Sequence, residues 1–76
     1  MKVKDKVKVT GRGCVIIVEP DCEIDISDKI ECNGVQFGIS GIERWSHMKT
    51  TGLILRPNSD VYDAINIGDD LDIVKH

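Results

Sequence analysis

The five residues Cys14-Val15-Ile16-Ile17-Val18 constrain this chain more than any other stretch. The run is too short for a core helix, and four of its five side chains are β-branched, which restricts them in a helix and suits a pleated surface. Such a run, bounded by turn residues, reads as a strand buried on both faces or nearly so. Immediately upstream, Gly11 and Gly13 flank Arg12 and allow the positive φ that a tight reversal out of a preceding strand requires. The rest of the chain then reads as short strands laid around this one.

Residues 2–9 alternate, with Lys2, Lys4, Lys6 and Lys8 on one face and Val3, Asp5, Val7 and Val9 on the other. That is a half-buried strand with its lysines in water, in which Asp5 interrupts the apolar face as a bulge would. Residues 14–19 form the second strand, ended by Pro20-Asp21, since proline cannot donate to a central ladder. Ile24 and Ile26 about Asp25 suggest a short third strand, and Ser27-Asp28 a turn. Residues 29–32 and 35–42 are strands joined by Asn33-Gly34, the strongest short-range hairpin signal available. In the second of them Val35, Phe37 and Ile39 face one way, and Gly38 and Gly41 suggest a bend or bulge. Residues 43–51 read as a polar loop, 53–56 as a strand stopped by Pro57, and 59–64 as one helical turn with Ser59 as N-cap. Gly68-Asp69 turns the chain into a last strand at 71–74. Many short strands with frequent turns imply an all-β fold, a small closed or nearly closed antiparallel barrel of about six strands. Its expected core includes Val7, Val9, Val15, Ile17, Ile30, Phe37, Leu53, Leu55 and Ile73, while alternation leaves the facing of Ile16 and Ile54 open.

With 76 residues the chain is one domain, spanning 1–76, and it leaves little material for a catalytic pocket with its own supporting shell. Charge is unevenly spread. Residues 1–13 hold five basic side chains and one acidic, a net +4, and the remainder holds five basic and twelve acidic, a net −7. This asymmetry suggests either a polyanion partner or a basic first strand paired with acidic neighbours. Cys14, Cys22 and Cys32 are spaced eight and ten apart, with no C-x-x-C pair and with His47 and His76 distant from each other. That spacing argues against a metal site and for a reducing, cytoplasmic setting. No apolar leader opens the sequence and no run approaches membrane-spanning length.

Five motifs in register resemble the β-barrel second domain of the translational GTPases of the elongation factor Tu type. They are Val3-Lys4-Asp5 running into Gly11-Arg12-Gly13-Cys14-Val15-Ile16; Ile24-Asp25-Ile26-Ser27-Asp28-Lys29-Ile30; Ile39-Ser40-Gly41-Ile42-Glu43; Gly52-Leu53-Ile54-Leu55-Arg56; and Gly68-Asp69-Asp70-Leu71. The likeness covers nearly the whole chain. It departs from the family at Ser27, where glycine is usual, at Lys6, where an apolar residue is usual, and in a shorter segment from Glu43 to Gly52. The resemblance implies a translation-factor type barrel that packs against a GTPase domain and, in elongation factor Tu, holds the aminoacylated end of tRNA. It also implies that Glu43 matches the glutamate that contacts the terminal adenosine. The sequence has no G-x-x-x-x-G-K-[ST] phosphate loop, so no GTPase, no nucleotide and no cofactor are expected. No Ser/His/Asp or Cys/His constellation or paired carboxylates suggest an enzyme either.

The expectation is therefore a stand-alone binding module that meets a protein partner or a second copy of itself. The competing expectation is RNA binding. Glu43, Arg44, Trp45 and His47 form one candidate patch, in which Trp45 can stack on a base, anchor a partner or plug a barrel end. Lys2, Lys4, Lys6, Lys8 and Arg12 form the other: as one row the lysines can track a phosphate backbone, guard a strand edge or pair across strands. An isoelectric point near 5.2 weighs against nucleic acid.

Overall fold

A computed structural model describes residues 1–9, 13–44, 49–55 and 61–75. Six antiparallel strands form one sheet: β1 Val3–Val9, β2 Gly13–Val18, β3 Lys29–Cys32, β4 Val35–Arg44, β5 Thr51–Leu55 and β6 Asp72–Val74. A single helical turn, α1 Val61–Ala64, lies between β5 and β6. The order across the sheet is β1-β2-β5-β4-β3-β6. β1 and β6 end this order, but the start of β1 is stitched to the segment leading into β6. The Met1 nitrogen donates to Leu71 O at 2.9 Å, Leu71 N to Met1 O at 2.7 Å, Val3 N to Asp69 O at 2.9 Å and Gly68 N to Val3 O at 2.9 Å.

β2 alternates rather than burying both faces. Cys14, Ile16 and Val18 are buried, while Gly13, Val15 and Ile17 are half-buried. Directly opposed residues share a face, so β2 sets the facing of its neighbours. Ile16 lies opposite Leu53, Cys14 opposite Leu55 and Val18 opposite Thr51, all buried. The core is Val3, Cys14, Ile16, Val18, Ile24, Ile30, Cys32, Phe37, Ile39, Leu53, Leu55, Ile65 and Leu71, with Ile73 packed against it. Ile30, Phe37, Leu53 and Leu55 match the expectation; Val7, Val9, Val15 and Ile17 do not. Val35 shares the parity of Phe37 and Ile39 but sits at the strand's end and is exposed.

The cause is a bulge. The β1–β2 register slips between Val3 and Asp5, leaving Lys4 without an opposite number. One extra residue inverts the alternation that follows. Val3 therefore faces the core opposite Val18, but Lys6 and Lys8, not Val7 and Val9, lie opposite Ile16 and Cys14. Asp5 in an apolar register was the sequence signal for this slip. A second slip lies between Ile39 and Gly41 on β4, within the stretch where the two glycines suggested one. A Cβ at Gly41 would lie 3.1 Å from Ile54 Cδ1. Gly41→Ala is accordingly expected to push this half-exposed side chain aside by a few tenths of an ångström and to leave the stability read from a urea midpoint within about 1 kcal/mol of the wild type.

The strand expected at residues 24–26 is absent. Carboxylates satisfy this backbone locally instead. Asp25 N donates to Asp28 Oδ2 at 2.9 Å, Ser27 N to Asp25 Oδ1 at 3.2 Å and Asp28 N to Asp25 O at 3.0 Å. Asp28 is buried and takes Lys75 Nζ at 2.9 Å. Removing it in Asp28→Ala is expected to cost about 1–3 kcal/mol in chemical denaturation, because a backbone donor and an ammonium lose their acceptor. The hydrogen bond that Lys75 donates to Asp28 raises the Lys75 pKa. The stability that Lys75 draws from its raised pKa is thus fully present below the ordinary lysine value and is lost as pH rises through the raised one. The Asn33-Gly34 turn is as expected, with φ of +52° and +82° and Cys32 opposite Val35.

Candidate functional site

The bulge at Lys4 splits the lysine row. Lys6 and Lys8 turn to the core side beside Tyr62 of α1, Lys6 half-buried and Lys8 exposed. Lys6 Nζ donates to Tyr62 O at 2.7 Å and lies 4.2 Å from the Tyr62 ring centroid, and Lys8 Nζ lies 5.9 Å from it. A half-buried lysine with its ammonium over an aromatic face and on a carbonyl is a structural anchor. Lys4 is exposed, 3.9 Å from Glu19, and Lys2 is exposed beside its bridge to Asp70. The four lysines therefore do not form the single phosphate-tracking row expected of them.

Glu43 and Arg44 also part company. Glu43 lies opposite Gly52 on the exterior, and Arg44 lies opposite buried Thr51 on the inner side, where its Nη2 donates to Ile24 O at 2.6 Å. From β1 to β4 is three strand spacings along the sheet, about 14 Å, so Lys4 and Glu43 share the exterior without sharing a contact. Arg12, Trp45 and His47 lie outside the described residues.

The exterior itself carries the pattern that sequence reasoning missed, because alternation puts Val7, Val15 and Ile17 in the core and leaves the facing of Ile54 open. Across β1, β2, β5 and β4 one row runs Val7, Val15, Ile54, Gly41, and beside it runs Asp5, Ile17, Gly52, Glu43. Val7 is 46% exposed, and Val15, Ile17 and Ile54 remain half-exposed. Across the other half of the sheet the outward residues are Gln36 and Gly38 on β4, Glu31 and Lys29 on β3, and Asp72 and Val74 on β6. One half of the exterior is thus aliphatic and the other mostly polar.

At one end of the sheet an open groove of about 350 Å³ is lined by Glu23, Ile24, Asp25, Ile26, Ile42 and Arg44. No group of three or more metal-ligating side chains comes together among the described residues. Of the three thiols, Cys22 is exposed and Cys14 and Cys32 are buried. Burial pushes the Cys14 thiol up against a smaller opposing pull from Lys6. Burial pushes Cys32 up as well, aided by the charge of Asp69 and by the hydrogen bond it donates to Asp69 Oδ2 at 3.7 Å. Both buried thiols therefore stay protonated through neutral pH and are poor nucleophiles. Titration of the native chain with an aromatic disulfide at pH 8 is expected to modify Cys22 rapidly and the other two only on denaturation; rapid reaction of all three would contradict the buried placement.

No protein-family model, curated protein or solved structure matches this chain.

Proposed function

We propose that this chain is a non-catalytic binding module with a translation-factor type β-barrel fold, acting through a protein partner or through self-association. The aliphatic half of the exterior carries this reading. Val7, Val15, Ile17 and Ile54 form a contiguous apolar strip across β1, β2 and β5, and the other face of β2 and β5 already fills the core. An apolar strip bordered by Lys4, Asp5, Glu19 and Glu43 has the make-up of a docking face, with an apolar centre and a charged rim. The stitched seam between residues 1–3 and 68–71 supports closure of the sheet into the barrel implied by the family resemblance. In that family the barrel docks against a GTPase domain. Where no such domain covers the surface, a second copy is the simplest occupant, since an isologous contact needs only one self-complementary patch.

Among the described residues no set supports a chemical step, and the absence of a phosphate loop from the sequence argues against nucleotide hydrolysis. Light scattering over a tenfold concentration range, with a parallel pull-down, tests the reading. A strict monomer that retains no protein would contradict it. RNA binding is the competing class. It has exposed Glu43 in its favour and the divided lysines against it. Quenching of Trp45 by tRNA that weakens with salt and disappears in Lys4→Glu would promote it above the protein-binding reading.

A further inference from the structure

The two halves of β4 are paired along opposite edges. Residues 35–38 pair with β3, and residues 39–44 pair with β5. The edge of 39–44 that faces away from β5 has no strand beside it among the described residues, because β3 begins only at Lys29, opposite Gly38. Residues 23–27 would continue β3 along that edge, but the Asp25–Asp28 turn folds them back on themselves. The groove of about 350 Å³ lies between this loop and β4. Among the described residues, one hydrogen bond spans it, from Arg44 Nη2 to Ile24 O.

We propose that this groove accepts an extended basic-apolar segment of a partner protein, which adds as a β-strand to the 39–44 edge of β4. The site is distinct from the aliphatic exterior, though it rests on the same premise that the chain works by binding protein. A bare strand edge offers backbone donors and acceptors to any extended chain. The lining supplies the selectivity. Ile26, 54% exposed, and half-buried Ile42 meet alternate apolar side chains. Glu23 and Asp25 meet the alternate basic ones. Two carboxylates, Glu23 and Asp25, stand in the lining against one guanidinium, Arg44, which Ile24 O holds in place, so the groove presents a net negative charge to an incoming strand. The same charge disfavours a polyanion.

The test uses the whole chain labelled for backbone NMR and three short peptide probes. One alternates lysine and valine, the second is the same peptide N-methylated at alternate amides, and the third replaces lysine with glutamate. The Lys-Val peptide is expected to shift amides of residues 23–26 and 39–44. N-methylation is expected to weaken binding about tenfold or more, since it removes ladder hydrogen bonds while keeping charge and side chains. Glu23→Lys and Ile26→Asp, both at exposed positions, are each expected to weaken it about fivefold, with Glu23→Lys reducing the salt dependence. Equal binding of the N-methylated or glutamate peptide, or shifts confined to Val7, Val15, Ile17 and Ile54, would overturn the proposal. So would a single-stranded RNA that shifts the 39–44 amides when the Lys-Val peptide does not. Self-association without peptide binding would overturn this site while leaving the exterior face standing. Peptide binding by a strict monomer would support the site and count against self-association.

Discussion

Replacing Ile16 by alanine is expected to lower the unfolding free energy by about 2–5 kcal/mol, whereas Ile17→Ala, one residue along the same strand, should cost less than about 1 kcal/mol. Ile16 is fully buried between Lys6 and Leu53, so truncation leaves a cavity in the middle of the sheet's inner face. Ile17 lies on the exterior between Asp5 and Gly52, where truncation removes contacts but opens onto solvent. In a domain this small, 1 kcal/mol moves the melting midpoint by about 4–8 °C. The Ile16 variant should therefore melt at least about 4 °C below the Ile17 variant, or fail to fold at room temperature. Equal losses, or the reverse order, would return Val15 and Ile17 to the core and reject the facing described above.

That facing was the part of the fold hardest to read in the sequence. The strands around Cys14-Val15-Ile16-Ile17-Val18 and the Asn33-Gly34 hairpin follow from local chemistry, because β-branching and positive φ act within a few residues, while Ser59, the expected cap of the helical turn, lies outside the described residues. Which face of an all-aliphatic run is buried is not a local property. Val15 and Ile16 are equally apolar, and only the register against β1 and β5 decides between them. The slip at Lys4 could be suspected from Asp5 standing among valines, but its consequence, that Lys6 rather than Val7 turns inward, needs the position of Tyr62 to make sense of it. The same limit applies to function. Glu43 and Arg44 are neighbours in sequence and lie on opposite faces in space, while the exterior strip joins residues from three strands that no sequence motif connects. Residues 24–26 misled for the opposite reason: their apolar alternation is real, but Asp25 and Asp28 offer the backbone closer partners than a neighbouring strand does.

The second large effect concerns association. A Val15→Lys/Ile54→Lys variant is expected to weaken self-association at least about tenfold, equivalent to 1.4 kcal/mol, while shifting the melting midpoint little. The two side chains are cross-strand neighbours at the centre of the aliphatic strip. In a single copy their replacements reach water with their ammonium groups. Across an interface the same ammonium groups would be buried without partners, at a cost that one strip of aliphatic contacts cannot offset. A Lys29→Glu control on the polar half of the exterior should leave association unchanged.

Sedimentation velocity of the wild-type chain beside the Val15→Lys/Ile54→Lys variant, over a tenfold concentration range, puts the docking face itself on trial. The weight-average mass of the wild type should rise with concentration, and that of the variant should stay at the monomer value. A wild-type mass that stays monomeric throughout, in a chain that also retains no protein when immobilised, would contradict the assignment of this chain as a protein-binding module.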